Sequence, residues 1–126
     1  MSSSSIDDRG QQPTVDLASA QRRLGGNRSL LVDLARFCID DAPGLLQRLH
    51  QSIQNKNRDV AARIARRLKC LAANFDAFPT VEVTRELEAA VRNGELGEAA
   101  ALETPLRRQF QALTAILRES VLNEPA

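Results

Sequence analysis

Few side chains in this sequence are of a type that does chemistry alone. There is one histidine, His50, and there are two cysteines, Cys38 and Cys70. An imidazole can act as nucleophile or base near pH 7 because one ring nitrogen keeps a free lone pair. A thiol beside cations can ionise to a reactive thiolate. A metal centre asks for several ligands at suitable spacing, which one histidine and two distant cysteines do not supply. No metal and no cofactor is therefore expected. What is concentrated is positive charge. Arg58, Arg63, Arg66, Arg67 and Lys69 fall within one short stretch, and Asp59 is the sole acid between Arg58 and Phe75. Solvated helix faces tend to mix signs and gain i,i+4 pairs, so an unmixed cluster points to a partner of opposite charge.

The element that must carry this cluster is legible. Residues 61–77 contain no Gly or Pro and only one β-branched residue, Ile64, so nothing opposes an α-helix. At about 100° per residue, Ala61, Ile64, Leu68, Leu71, Ala72 and Phe75 gather on one side. Arg63, Arg66, Arg67, Lys69 and Cys70 gather on the other.

Around it the chain divides at its turn residues. Residues 1–13 are rich in Ser, Asp and Gln and are expected to form a disordered tail. A short helix over 15–24, with Leu17, Ala20 and Leu24 inward, ends at Gly25-Gly26. Asn27 then caps a second helix carrying the stripe Leu30, Leu31, Leu34, Phe37 and Cys38. Pro43 interrupts its hydrogen bonding, yet Leu45, Leu46, Leu49 and Ile53 continue in phase. One helix over 28–54, bent at Pro43, is favoured over two helices meeting there. Asn57 caps the basic helix, 58–74. Pro79 fits the first position of a fourth helix holding Val83, Leu87, Ala90 and Val91, which stops at Asn93-Gly94. The last helix, 96–122, shows Leu102, Leu106, Phe110, Leu113, Ile116, Leu117 and Val121, with a kink expected at Pro105. Long amphipathic helices on short turns predict an all-α fold: an antiparallel four-helix bundle with a short extra N-terminal helix. The domain expected is 14–122, with 123–126 frayed.

Composition removes several function classes. The formal net charge is +1, so no long-range field draws the molecule onto nucleic acid. The only aromatics are four Phe, which fall at core-like positions rather than on a stacking platform. No stretch approaches the roughly 20 apolar residues that span a bilayer. The first six residues lack the regions of a secretory signal, and a cytoplasmic monomer is expected.

Several ordered motifs resemble one family. Arg23-Leu24-Gly25-Gly26-Asn27 is similar to the R-L-G-G-D entry of histidine phosphotransfer (HPt) domains. Phe37, Asp41, Pro43, Leu45-Leu46 and Leu49 resemble that family's F-x-x-D-x-P-x-L-L-x-x-L run. Ala65, Leu68, Lys69, Ala72, Asn74 and Ala77 stand where the signature A-H-x-L-K-G-x-A-x-N-x-G-A puts them. Leu87-Glu88 and Arg92-Asn93-Gly94 resemble its L-E-x-A-x-R-x-G ending. The resemblance spans 15–121 and implies a bundle that meets receiver domains of two-component phosphorelays.

It also implies what has changed. The phosphoaccepting histidine of the family would stand at Arg66, one signature glycine at Cys70 and the other at Asp76. A guanidinium keeps its proton and has no lone pair with which to attack phosphorus. The expectation is a pseudo-HPt: no enzyme, and a docking module that competes with or modulates genuine phosphotransfer. Arg66 would face the receiver's acidic pocket, with Lys69, Arg63 and Arg67 beside it. Ala62, Ala73 and Cys70 would form the dry centre of the contact. His50, on the second helix, reads as a boundary histidine rather than a substitute nucleophile. The alternative is a non-signalling adaptor that uses the Glu82, Arg85 and Glu86 side of the fourth helix.

Overall fold

The computed structural model describes residues 15–123, and the expected tail over 1–13 lies outside them. Five helices follow in order: α1 Leu17–Arg23, α2 Arg28–Gln54, α3 Arg58–Ala73, α4 Phe78–Arg92 and α5 Leu96–Ser120. No strand occurs among the described residues. The starts are set by side chains that take up orphan backbone N–H groups. Asp16 accepts from Ser19 at 2.9 Å, Asn27 from Leu30 at 3.0 Å and Asn57 from Val60 at 3.4 Å. Phe78, not Pro79, is the first residue of α4; Pro79 follows it, still in the first turn, where its missing N–H costs nothing.

Three arginines close helix ends to which they do not belong. Arg23 donates to the carbonyls of Ala73 and Asn74 at the end of α3. Arg28 donates to Ser120 and Val121 at the end of α5. Arg58 donates to Val91 and Arg92 at the end of α4. Each places a cation against the negative end of a helix dipole and ties two elements together.

α2, α3, α4 and α5 form a ring in which each packs on its neighbours in sequence and α5 closes back on α2, while α1 lies against α2. With turns of only three to four residues at 55–57, 74–77 and 93–95, adjacent helices run antiparallel. The core is mostly aliphatic. Leu31, Leu49, Leu68, Leu87, Leu106, Leu113 and Leu117 are fully buried around Phe75 and Phe110. Thr80 donates to Gln109 at 2.9 Å inside the α4–α5 seam, and Thr84 returns its hydroxyl to the Thr80 carbonyl.

α2 passes through Pro43 and α5 through Pro105 without interruption. An interior proline costs a helix about 3 kcal/mol. Leu31, Ala35 and Cys38 before Pro43, and Leu45, Leu49 and Ile53 after it, bury on one continuous face and offset that cost.

The expected α2 stripe needs correction. Its buried line is Leu31, Ala35, Cys38, Ala42, Leu45, Leu49 and Ile53. Leu30 and Phe37 stand outside it, Phe37 with 57% of its surface exposed. Ala35 and Phe37, two residues apart, point about 160° from one another around the axis, so the rotation that brings Ala35 inward carries Phe37 out. Phe78, at the start of α4, is 65% exposed, so two of the four phenylalanines are not core residues.

Candidate functional site

The basic side of α3 is organised by a residue on another helix. Glu88 of α4 has about 10% of its side chain exposed, and three cations converge on it. Lys69 donates from Nζ to Oε1 at 3.0 Å. Arg92 donates from Nη2 and Nε to Oε2 at 3.0 and 3.1 Å. Arg66 brings Nε to 3.6 Å of Oε2, a distance of charge attraction rather than of a hydrogen bond. Burial raises the Glu88 pKa, but the hydrogen bonds and charges of Lys69 and Arg92 outweigh it and hold the carboxyl below its ordinary range.

Arg66 itself has 60% of its side chain in solvent, whereas Lys69 is more covered. Arg67 leans the other way, towards α2, with Nη2 3.4 Å from Asp41 Oδ2. The expectation of an unmixed positive face therefore held along α3 and failed in space. α4 supplies Glu88 and α2 supplies Asp41, so two of the acids missing from the helix come from its neighbours. Arg58 belongs to the α4 cap rather than to the face. Arg63 is exposed and forms no ion pair among the described residues; with Arg48, Gln51 and Ile64 it borders a shallow depression.

Beside the Arg67–Asp41 pair lies a groove of about 290 Å³ between α2 and α3. Leu34, Phe37 and Leu71 give it apolar walls, and Cys70 and Asn74 lie along it. Cys70 and Ala73 are exposed on this side, whereas Ala62, expected with them, is buried in the core. Cys38 is fully buried, and burial with the nearby Asp41 charge pushes its thiol up to about 12, so it remains an inert thiol.

Asp76 occupies a conformation that explains a glycine preference. Its φ is +52°, in the left-handed region, where a side chain costs energy and Asp is among the better-tolerated residues. The carboxylate is held by Arg23 at 2.5 Å, so one guanidinium closes α3 and anchors the residue that turns the chain into α4.

His50 is remote from this chemistry. Its Nδ1 lies 2.8 Å from Oε1 of Glu103 on α5, with Arg107 3.9 Å from the same oxygen. The expected boundary position is thus sharpened to the α2–α5 seam. Glu82 and Arg85 on α4 pair with each other at 2.9 Å in solvent. Among the described residues no group of His, Cys, Asp and Glu is placed to hold a metal ion, and no helix is long and apolar enough to cross a membrane.

Glu88, Arg92, Asp41 and Phe37 were not foreseen as parts of this face. For Glu88 and Arg92 the signal was present as an acid and a base four residues apart on one helix. Comparison with known proteins gives one finding: the model of the family described as Hpt domain matches residues 33–119, more than half of the chain. No curated protein and no solved structure matches.

Proposed function

The chain belongs to the Hpt domain family, and on that premise we propose that it docks on receiver domains without accepting phosphate. Hpt domains serve phosphorelay signalling and interact with the receiver domains of response regulators. The observation that carries the reading is Arg66, a permanently charged side chain at the position where the resemblance sets the phosphoaccepting histidine. It is exposed in the middle of α3, flanked by Lys69, Arg63 and Arg67, and the Phe37 groove lies along the Arg67 and Cys70 side of the same helix. The only histidine in the sequence, His50, is engaged by Glu103 on a different seam. A receiver's active site gathers aspartates around a magnesium ion, which gives such a cationic face a complementary surface. A chain bound there would compete with a phosphotransfer partner or alter the lifetime of the receiver's phosphate, in the cytoplasm where receivers work.

Two measurements test this. Calorimetry against a panel of receivers should find a partner whose affinity falls about tenfold with Arg66→Glu and weakens with salt. Absence of any complex across the panel refutes docking. Incubation with a phosphorylated receiver should leave no acid-labile label on the chain. Label that disappears in His50→Ala would overturn the assignment of a non-acceptor.

A further inference from the structure

The α2–α3 side of the bundle is divided lengthwise by charge. Leu30, Asp33, Phe37, Asp40 and Gly44, three or four residues apart, line one exposed side of α2. Asp33 and Asp40 form no ion pair among the described residues, so this strip is acidic and uncompensated. Arg63, Arg66, Arg67 and Cys70 line the exposed side of α3, a basic strip. Between the two strips runs the groove of about 290 Å³, with Phe37 more than half exposed on it. An apolar cavity of about 150 Å³ admits a benzene molecule, so the groove has room for a ring. The Phe37 of the same chain forms its wall and does not fill it. We propose that this side is the interface of a two-fold dimer of the chain, each Phe37 seated in the groove of the other copy.

A second copy is the fitting occupant because one chain carries both halves of the complementary charge. A two-fold axis along the groove, parallel to the helices, lays α2 of one copy over α3 of the other at the same height. Phe37 and Cys70 border one groove and so share a height, and Phe37 of one copy meets Cys70 and Leu71 of the other. Asp41 and Arg67, 3.4 Å apart within a chain, mark the next level. There Asp40 meets Arg66 of the other copy, whose hold on Glu88 is loose at 3.6 Å. Gly44 has open space where a Cβ would stand, which lets the helices approach. Further along, Arg48 and Arg63 of opposite copies are like charges, and the contact ends short of them. A contact of two helices per copy is at the small end of interfaces, so the association is weak and depends on concentration. It replaces the monomer expected from the sequence with a monomer–dimer equilibrium, and the dimer covers the α2–α3 groove.

Analytical ultracentrifugation of the full chain alone, from about 10 μM to about 1 mM, should show a reversible monomer–dimer equilibrium that weakens with salt. Phe37→Ala should raise the dissociation constant about tenfold. Asp40→Arg and Arg66→Asp, both at exposed positions, should each raise it about fivefold, since a two-fold contact repeats every mismatch. An equimolar mixture of these two variants should associate about as tightly as the wild type, because each contact between them again joins an acid to a base. A chain that stays monomeric across the range overturns the dimer. Association untouched by Phe37→Ala, or a mixture no tighter than its two parents, places the contact elsewhere and overturns this interface. No receiver enters these measurements, so the dimer stands or falls apart from the docking reading.

Discussion

At position 88 a carboxylate with little exposure to water sits between Lys69 and Arg92, and its titration is tied to the fold. Its pKa in the folded protein is below the ordinary value of 4.5, because the pairing outweighs the cost of burial. The unfolded chain therefore binds this proton more readily than the native one. The stability that Glu88 contributes is present in full above the ordinary carboxylate range and is lost as pH falls through it towards the folded pKa. Its partners are partly solvated, so about 1 kcal/mol is the expected loss for Glu88→Gln at pH 7. Urea denaturation of both proteins at pH 7 and at pH 3.5 checks this, and the gap between them should narrow at the acid end. A constant gap would mean that shape rather than charge is at stake. The cysteines separate at the same scale. A thiol reagent at neutral pH should modify Cys70 on the exposed side of α3 and leave Cys38 unlabelled in the folded protein, as intact mass and Cys70→Ser would reveal. Labelling of Cys38 at the rate of Cys70 would contradict its burial.

At the scale of elements, the turn from α3 to α4 depends on Asp76 and Arg23. The positive φ at Asp76 penalises any side chain, and the ion pair with Arg23 offsets that penalty. Asp76→Ala loses the pair and keeps the strain, whereas Asp76→Gly loses the pair and relieves it. Thermal or urea unfolding should rank wild type, then Gly, then Ala, with Gly and Ala about 1 kcal/mol apart. Ala equal to Gly would show that strain at this turn is negligible. The helices were legible because their signals are local. Asn27 and Asn57 cap where a cap was expected, α2 spans the expected residues through Pro43, and Gly25-Gly26 and Gly94 take the positive φ that a stop requires. The arginine caps were not legible, because Arg23, Arg28 and Arg58 act on carbonyls in elements distant in sequence, up to 93 residues away. Helical phase alone also could not decide whether Phe37 or Ala35 faces inward. The two lie about 160° apart around the axis, and only the placement of α3 and α5 against α2 settles which side is inward.

For the whole molecule, the bundle keeps residues that hold the fold apart from residues available to a partner, and this separation can be tested directly. Of the proposed docking face, the α3 cations were readable from one helix, but their charge balance was not. Glu88 is 19 residues from Lys69 and Asp41 is 26 from Arg67, so only the folded ring brings them together. Leu68 and Phe37 lie on opposite sides of this division. Leu68 is fully buried on α3, and Leu68→Ala removes three buried carbons and leaves a cavity, at a cost of about 2–5 kcal/mol. In a domain of this size that is a large share of a total of about 5–15 kcal/mol. Phe37 is more than half exposed on the groove, so Phe37→Ala should change the unfolding free energy by less than about 0.5 kcal/mol. If a receiver covers the α2–α3 face, the same substitution removes an aromatic anchor next to the cationic centre. Affinity should then fall about fivefold or more, with the salt dependence unchanged. Arg66→Gln should do the converse, reducing the salt dependence together with the affinity. A Phe37→Ala protein that is stable and binds with full affinity would confine the contact to the α3–α4 side of the bundle, around Glu88, and leave the groove outside it.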